Sequence, residues 1–402
     1  MRQVTSSTLP SKHSPLWTTL SVLSWMVLWL LIFELLLYLV IPPAPATVKS
    51  NQLQRYLEYG RSVEGKIRQM IGPSDKTTIP VTLAGWIDPE RKRWKTVPMH
   101  PEKPDGLLIA IYGMSHAQHM GWALDKIEEP PVTVRFLGGP GAPPNHSFKT
   151  YQMDRGRHTA GVVIFGIAAG SLKGMTTFTS LNQAFEYPLP YTYPKYRKVG
   201  NNLKEIWPQV RTMTDFRRVL NDEMLWNDYV REMQAEDSYY HPFIFYENFM
   251  DNFVIFRFIR RSWAKKHARS VKDNIYEVSQ GFKEGSEMLQ ALRLMVKEFA
   301  RQVRNDGKLP IVVLFNNRGY SNHLTQALAK KLQEADIPFV DSHTSAPSDD
   351  PKNLASDNFH FSKEVDKQLA QAALEIIHEH KIMPEKVKGE RGKGERGNYS
   401  QK

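Results

Sequence analysis

Cysteine is absent from the 402 residues of the chain. Its absence excludes disulfides, thiolate metal sites and cysteine nucleophiles. A chain without thiols is compatible with a bacterial envelope, where an unpaired thiol would be a liability, although this composition alone does not fix the compartment. If the chain forms a covalent intermediate, the nucleophile must be another residue type.

One long apolar segment lies near the N-terminus, at residues 16–41, and its only charged residue is Glu34. About 20 apolar residues cross a bilayer core. We therefore predict a transmembrane helix, because the segment is too long for a signal-peptide core and no small-residue cleavage site follows it. Glu34 is interpreted as reaching toward the outer interface, and a functional intramembrane acid is the alternative.

The charges that flank this segment predict its orientation. Arg2 and Lys12 precede it, and no acidic residue does. The positive-inside rule then predicts that residues 1–15 are cytoplasmic. The main domain would lie outside the cytoplasm, on the periplasmic side of a bacterial inner membrane.

Two charged segments flank the main domain. Residues 42–104 are predicted to hold a juxtamembrane helix, interrupted near Gly60, and a strand-rich spacer. Residues 382–402 include the near-repeat KGERGKGERG and little that could be buried, so a disordered basic tail is predicted. The tail contributes to the net charge of +11. Because the main domain is predicted to lie outside the cytoplasm, no nucleic-acid partner is predicted.

A regular alternation of strands and helices begins at about residue 105. Residues 105–170 and 284–381 contain five short apolar runs separated by helical patterns, including a short helix at 150–158. Such runs are typical of strands buried on both faces. We therefore predict an α/β domain with a parallel sheet covered on both sides. Ligands of such sheets bind beyond the carboxyl ends of the strands.

Residues 171–283 interrupt this alternation and are rich in aromatic side chains. Their length and position predict an inserted helical and aromatic lid subdomain on the site side of the sheet. Within them, residues 243–270 join an apolar stretch to a basic one. That pattern suits a helix lying on an anionic membrane surface. A buried helix with a solvated basic end is the alternative.

Three residues with catalytic potential fall at the same predicted edge of the sheet. Ser115 follows the first strand, and Asp357 and His360 are three residues apart in a loop before the last helix. A serine nucleophile needs a base to accept its proton, and the base needs an acid to orient it. The Asp-x-x-His loop can supply both groups to Ser115. A helix cap is the alternative role for Ser115.

The motifs around these residues resemble a known family. YGMSHA at 112–117 and SDNFHFS at 356–362 are similar to the first and last blocks of SGNH/GDSL-type hydrolases. The resemblance covers residues 105–170 and 284–381. It implies a flavodoxin-like three-layer α/β/α fold, with Ser115 as nucleophile, His360 as general base and Asp357 as its orienting partner. It implies no cofactor.

The oxyanion donors of that family are only partly matched. The resemblance implies the backbone N–H of His116 as one donor and a glycine after the second strand, Gly138, Gly139 or Gly141, as another. The family places an asparagine after the third strand, but this chain has Ala168. Losing one such donor typically costs about 10²–10³ in rate. Asn145, in the neighbouring loop, is the predicted replacement.

The histidines beside Ser115 also raise the question of a metal site. His116 and His119 are three residues apart, so both can face the same side of a helix. Spacing assigns no third ligand, and no metal site is predicted.

Together these features predict a membrane-anchored serine ester hydrolase or O-acyltransferase that forms an acyl-serine intermediate. The predicted substrate is an acylated carbohydrate or lipid, namely an O-acylated envelope polysaccharide or a lipid-linked glycan, handled within an envelope biosynthesis complex. One alternative is a catalytically impaired, SGNH-like binding or scaffold component of a polysaccharide modification or export complex. The other is a lipid esterase.

Overall fold

The computed structural model describes residues 15–40, 56–71, 94, 96–139, 141–188 and 191–382. The predictions for the cytoplasmic N-terminus, for most of the spacer and for the basic tail lie outside these residues.

The regular elements of the described residues are named here in chain order. The helices are α1 (Pro15–Val40), α2 (Val63–Ile71), α3 (Ser115–Leu124), α4 (Pro144–Asp154), α5 (Ser180–Gln183), α6 (Met213–Leu220), α7 (Glu223–Glu236), α8 (Pro242–Phe245), α9 (Val254–Asp273), α10 (Glu287–Asn305), α11 (His323–Glu334), α12 (Ser342–Ser345) and α13 (Lys363–Glu379). Short 3-10 helices span Ala169–Thr176, Phe249–Asn252 and Pro351–Asn353. The strands are β1 (Leu107–Gly113), β2 (Val132–Gly138), β3 (Val162–Ala168), β4 (Lys195–Val199), β5 (Asn202–Ile206), β6 (Tyr276–Glu277), β7 (Gly281–Phe282), β8 (Leu309–Phe315) and β9 (Phe339–Asp341).

Five strands form a central parallel sheet in the order β2–β1–β3–β8–β9. Every residue of β1, β3 and β8 is buried, which is why their sequences are continuously apolar. Helices α4, α10 and α11 cover one face, and α3 and α13 cover the other. The predicted α/β class and parallel sheet are confirmed, in a layering consistent with a three-layer α/β fold.

Two local predictions differ from the structure. The helix predicted at 150–158 begins at Pro144 and ends at Asp154. Proline is favourable in the first helical turn because its fixed φ suits a helix and its missing N–H is not needed there. Residues 171–283 also contain an antiparallel hairpin of β4 and β5, which the aromatic composition did not indicate.

The chain divides into two compact units. One contains α1 and α2 together with Phe185–Pro188 and His241–Lys266, and the other contains the central sheet. The segment predicted as one insertion, 171–283, is therefore shared between the two units.

Helix α1 belongs to the first unit. Among the described residues it is the one helix long and apolar enough to cross a membrane, with a mean hydropathy of 2.3 over its most apolar window. Glu34 on this helix is only 6% exposed. Its carboxylate accepts hydrogen bonds from the backbone N–H groups of Val254 and Ile255, the first residues of α9. Glu34 thus satisfies a helix N-terminus inside the protein rather than reaching for water.

A buried ionic cluster organises the rest of this unit. The carboxylate of Asp251 accepts hydrogen bonds from the N–H and hydroxyl of Ser62, at 2.8 and 2.7 Å, and pairs with Arg260. Arg257 is also buried and pairs with Glu58 at 2.7 Å. Two basic residues of the 243–270 segment are therefore structural ion-pair partners. Arg261 also pairs, with Glu186 at 2.8 Å, and its side chain is only 12% exposed. The solvated basic end predicted for this helix therefore begins after Arg261.

In the second unit, a fully buried ion pair joins β2 to α4. Arg135 donates to both carboxylate oxygens of Asp154, at 2.5 and 2.7 Å, and Tyr112 donates to the same carboxylate at 2.7 Å. Both charged side chains are 0% exposed. Removing one partner of such a pair leaves the other charge buried without compensation.

We expect Asp154→Ala to lower the free energy of unfolding by about 3–5 kcal/mol, because the Arg135 guanidinium would lose its counter-charge. Urea denaturation of the full chain in detergent measures this. Asp306→Ala is the matched control, because Asp306 makes a similar two-oxygen pair with Arg155 that is partly exposed. The control should cost at most about 1 kcal/mol, and equal losses for the two variants would contradict the expectation.

Candidate active site

Ser115 is the first residue of α3 and directly follows the turn that ends β1. The helix is capped by Met114 without a side-chain hydrogen bond, so Ser115 does not serve as the helix cap. Its hydroxyl instead lies 2.8 Å from Nε2 of His360. Space at this edge is tight, because a Cβ on Gly138 would lie 1.8 Å from the carbonyl oxygen of Gly113. Glycine at 138 therefore permits the ends of β1 and β2 to approach beside Ser115.

His360 and Asp357 lie on one tight loop before α13. Nδ1 of His360 is 2.6 Å from a carboxylate oxygen of Asp357, and the other oxygen accepts from the N–H groups of Phe359 and His360, at 2.9 and 3.0 Å. The loop closes through the Ala355 N–H, which donates to the carbonyl of His360 at 2.9 Å. Asn358 adopts the left-handed φ of 54° that the turn requires. The backbone thus sets the positions of both the acid and the base.

The electrostatics of Asp357 suit an orienting acid. Hydrogen bonding from His360, and then from the two backbone N–H groups, holds the pKa of Asp357 well below its usual range. An ionised carboxylate at Nδ1 favours a proton on that nitrogen and leaves Nε2 free to accept the proton of Ser115. The structure therefore brings together the three residues predicted as a triad, in the order Ser115, His360, Asp357.

The N-terminus of α3 provides the first predicted oxyanion donor. The first backbone hydrogen bond of α3 runs from the N–H of Gln118 to the carbonyl of Met114, at 3.2 Å. The N–H of His116 precedes that bond and is one of the helix-start donors that need another acceptor. The partial positive charge of the helix end favours a negative oxygen there.

Three other predicted donors, Gly139, Gly141 and Asn145, lie in a turn and at the start of a helix. Gly139 accepts from the N–H of Ala142 at 3.1 Å, which closes a turn in which Gly141 has a φ of 67°. Asn145 is 0% exposed, and its amide nitrogen donates to the Pro194 carbonyl at 2.8 Å. No hydrogen bond among the described residues joins Asn145 to Ser115, so its role as a donor stays a prediction. Ala168 ends β3 and offers no side-chain donor.

Two further histidines surround the base, and their arrangement was not foreseen. The ring of His116 is buried 5.1 Å from that of His360, and its Nε2 is 3.2 Å from the Phe359 carbonyl. Burial, and then the charge of His360, lower the pKa of His116 to about 3. A neutral His116 can donate from Nε2 to this carbonyl and hold the loop that carries His360. The only sequence signal was its position directly after Ser115.

His119 lies on the other side of the base. Its ring centre is 4.5 Å from that of His360 and stacks on the exposed ring of Trp122 at 4.8 Å. Nδ1 of His119 is 3.9 Å from the carboxylate of Asp366. Burial, and then the neighbouring Glu364, raise the pKa of Asp366 to about 7. Across the described ranges, no three His, Asp or Glu side chains are grouped to hold a metal ion.

No family model matches the chain, and no curated protein matches it. The geometry of the described residues therefore carries the functional argument.

Proposed function

We propose that this chain is a membrane-anchored serine ester hydrolase or O-acyltransferase of the SGNH type. The observation that supports the proposal is the hydrogen-bonded relay from Ser115 through His360 to Asp357, at the carboxyl edge of a parallel sheet. Open α/β sheets bind their ligands at that edge. A serine, an imidazole and a carboxylate in this order are the parts required for acyl transfer.

The strand order gives independent support for the fold that this proposal requires. Numbered along the chain, the five sheet strands run 2-1-3-4-5, which is the flavodoxin-like order. Ser115 then follows the first strand, and the base loop follows the last. These are the places where the SGNH resemblance puts the nucleophile and the base.

The proposed reaction has two steps. In the first, Nε2 of His360 accepts the hydroxyl proton of Ser115 while Oγ bonds to the carbonyl carbon of the ester. The carbonyl oxygen becomes an oxyanion near the His116 N–H, and Asp357 stabilises the imidazolium. Collapse of the intermediate breaks the ester C–O bond, and the alcohol leaves with the proton from His360.

The second step resolves the acyl-serine. A water molecule or a sugar hydroxyl gives its proton to Nε2 of His360 and attacks the acyl carbon. Breaking the bond to Oγ returns the proton to Ser115. Water gives hydrolysis and a sugar gives transfer, so the acceptor that reaches the acyl-serine decides between the two outcomes.

The proposed substrate is an O-acylated envelope polysaccharide or a lipid-linked glycan. Helix α1 supports a single-pass anchor, and the proposed orientation places the sheet unit outside the cytoplasm. Two observations support the alternatives. Ala168 at the third donor position favours a binding or scaffold component, and the exposed Phe249, Phe258 and Trp263 in the unit that contains α1 favour a lipid esterase.

A series of p-nitrophenyl esters tests the proposal. The full chain in nonionic detergent should hydrolyse the acetate ester faster than a long-chain ester, because a glycan acyl group is small. Preference for the long-chain ester would favour the lipid esterase. Absence of turnover, together with absence of labelling by a fluorophosphonate, would contradict the enzyme and favour the binding component.

A further inference from the structure

A cationic cavity lies in the sheet unit, apart from the triad. It has a volume of about 390 Å³ and is lined by Lys173, Arg269, Lys272 and Asp273 among others. Three cations and one carboxylate leave an excess of positive charge. Among the described residues, Lys173, Arg269 and Lys272 form no ion pair. Arg293 of the same unit, by contrast, is neutralised by Glu284. The cavity therefore concentrates uncompensated charge.

The two lysines in this cavity repel each other. Lys173 extends from the 3-10 helix after β3, and Lys272 from the end of α9. Lys173 is exposed at the mouth of the cavity, and partial desolvation, and then the charge of Lys272, lower its pKa. Lys272 is held in place, because its ammonium lies 4.9 Å from the ring centres of both Tyr276 and Tyr320. An anion between the ammonium groups would relieve this repulsion.

A buried tyrosine lines the same cavity. Tyr239 is 3% exposed, and its hydroxyl has no hydrogen-bond partner among the described residues. Burial raises the pKa of Tyr239 well above its usual range, so the phenol keeps its proton and can donate. Leaving a buried donor unpaired costs free energy, and an oxyanion in the cavity would satisfy it.

The cavity lies at the same edge of the sheet as Ser115. Lys173 lies on the 3-10 helix that directly follows β3. Tyr320, whose ring contacts Lys272 of the cavity, follows the end of β8, the strand beside β3. The Gly170 N–H donates to the side-chain oxygen of Asn317 at 2.9 Å and ties these two loops together. β3 pairs directly with β1, the strand that precedes Ser115, and β8 lies one strand further away.

We propose that this cavity binds an oxyanion, a phosphate or a carboxylate, carried by a sugar of the glycan substrate. The cations recognise the anionic group by charge-assisted contacts, and the Tyr239 hydroxyl supplies a further donor. The assignment rests on the proposed function for its substrate, and it specifies that the substrate is an anionic glycan.

Equilibrium binding to the full chain in nonionic detergent tests this proposal. The probes are glucose 1-phosphate and glucuronate, with glucose as the neutral control. We expect saturable binding of at least one anionic probe and none of glucose. Lys272→Gln should weaken that binding about tenfold or more, and Tyr239→Phe several-fold, because each removes one donor to the anion.

Lys330→Gln is the matched control, because Lys330 is an exposed lysine on α11 outside the cavity. It should bind the probe as the unchanged chain does. Equal affinity of Lys272→Gln and the unchanged chain, equal loss in Lys330→Gln, or failure of both anionic probes to saturate would overturn the assignment. The measurement needs no turnover, so an inactive chain that still binds the probe through Lys272 would refute the esterase and leave the anion site standing.

Discussion

Ser115→Ala should lower ester turnover by about 10⁴–10⁶, because the variant loses the oxygen that forms the acyl-enzyme. The hydroxyl of Ser115 is hydrogen-bonded to His360 and does not cap α3. Its removal should therefore change the free energy of unfolding little. Initial rates with p-nitrophenyl acetate and urea denaturation of the same preparation separate the two effects.

The residual rate of this variant is informative as well. A helix N-terminus that still stabilises an oxyanion should leave some catalysis over water. Ser262→Ala, an exposed serine on α9, is the matched control and should keep full activity. A Ser115→Ala chain that retains more than about a tenth of the rate would exclude Ser115 as nucleophile.

Asp357→Asn should lower turnover by about 10²–10⁴ with little change in fold. The asparagine oxygen can still accept from the N–H groups of Phe359 and His360, so the loop is retained. Its NH₂ group would face Nδ1 of His360, which must then be unprotonated. The ring proton moves to Nε2, and the base can no longer accept the proton of Ser115. Because the Asp357 side chain is 49% exposed, water can replace part of its effect, and the loss should not exceed that range.

The matched control for this change is Asp105→Asn, an exposed carboxylate before β1. Its turnover should equal that of the unchanged chain. Steady-state rates for both variants, with a thermal unfolding curve for each, give the comparison. An active Asp357→Asn chain would mean that His360 is oriented by another group, and Asp366 through His119 would then be the nearest candidate.

The sheet could be predicted from sequence because each buried strand is marked by its own run of apolar residues. Strands buried on both faces need continuous apolar residues, and LLIAIY before Ser115 meets that need. The edge of the sheet then follows from the alternation of strands and helices, since the carboxyl ends of parallel strands lie together. That rule placed Ser115 near Asp357 and His360, about 240 residues away in the chain.

Features that depend on distant partners could not be predicted. Arg135 sits in a mostly apolar strand, and its partner Asp154 lies at the end of a helix whose start was misplaced. Glu34 is paired with the first turn of α9, 220 residues later. Composition shows neither pairing, because each depends on which surfaces pack together. Both residues are charged groups that burial forces to find partners.

The oxyanion site is the part that neither local pattern nor fold class determines. Ala168 has no side-chain donor. The side-chain amide of Asn145 already donates one hydrogen bond to the Pro194 carbonyl. The donor known from backbone geometry alone is the His116 N–H at the start of α3. A site with fewer donors should be slower than one with three, by about 10²–10³ for each missing donor. Low turnover with specific labelling would be consistent with the proposed chemistry.

The most direct test of the central claim is the position of a fluorophosphonate adduct on the chain. The probe reacts with a serine only where a base activates it, and peptide mass mapping identifies the residue. We predict one adduct, on Ser115, formed far more slowly in the Asp357→Asn chain. An adduct on another serine, or no adduct while a known serine hydrolase in the same tube is labelled, would contradict the assignment of Ser115, His360 and Asp357 as a catalytic triad.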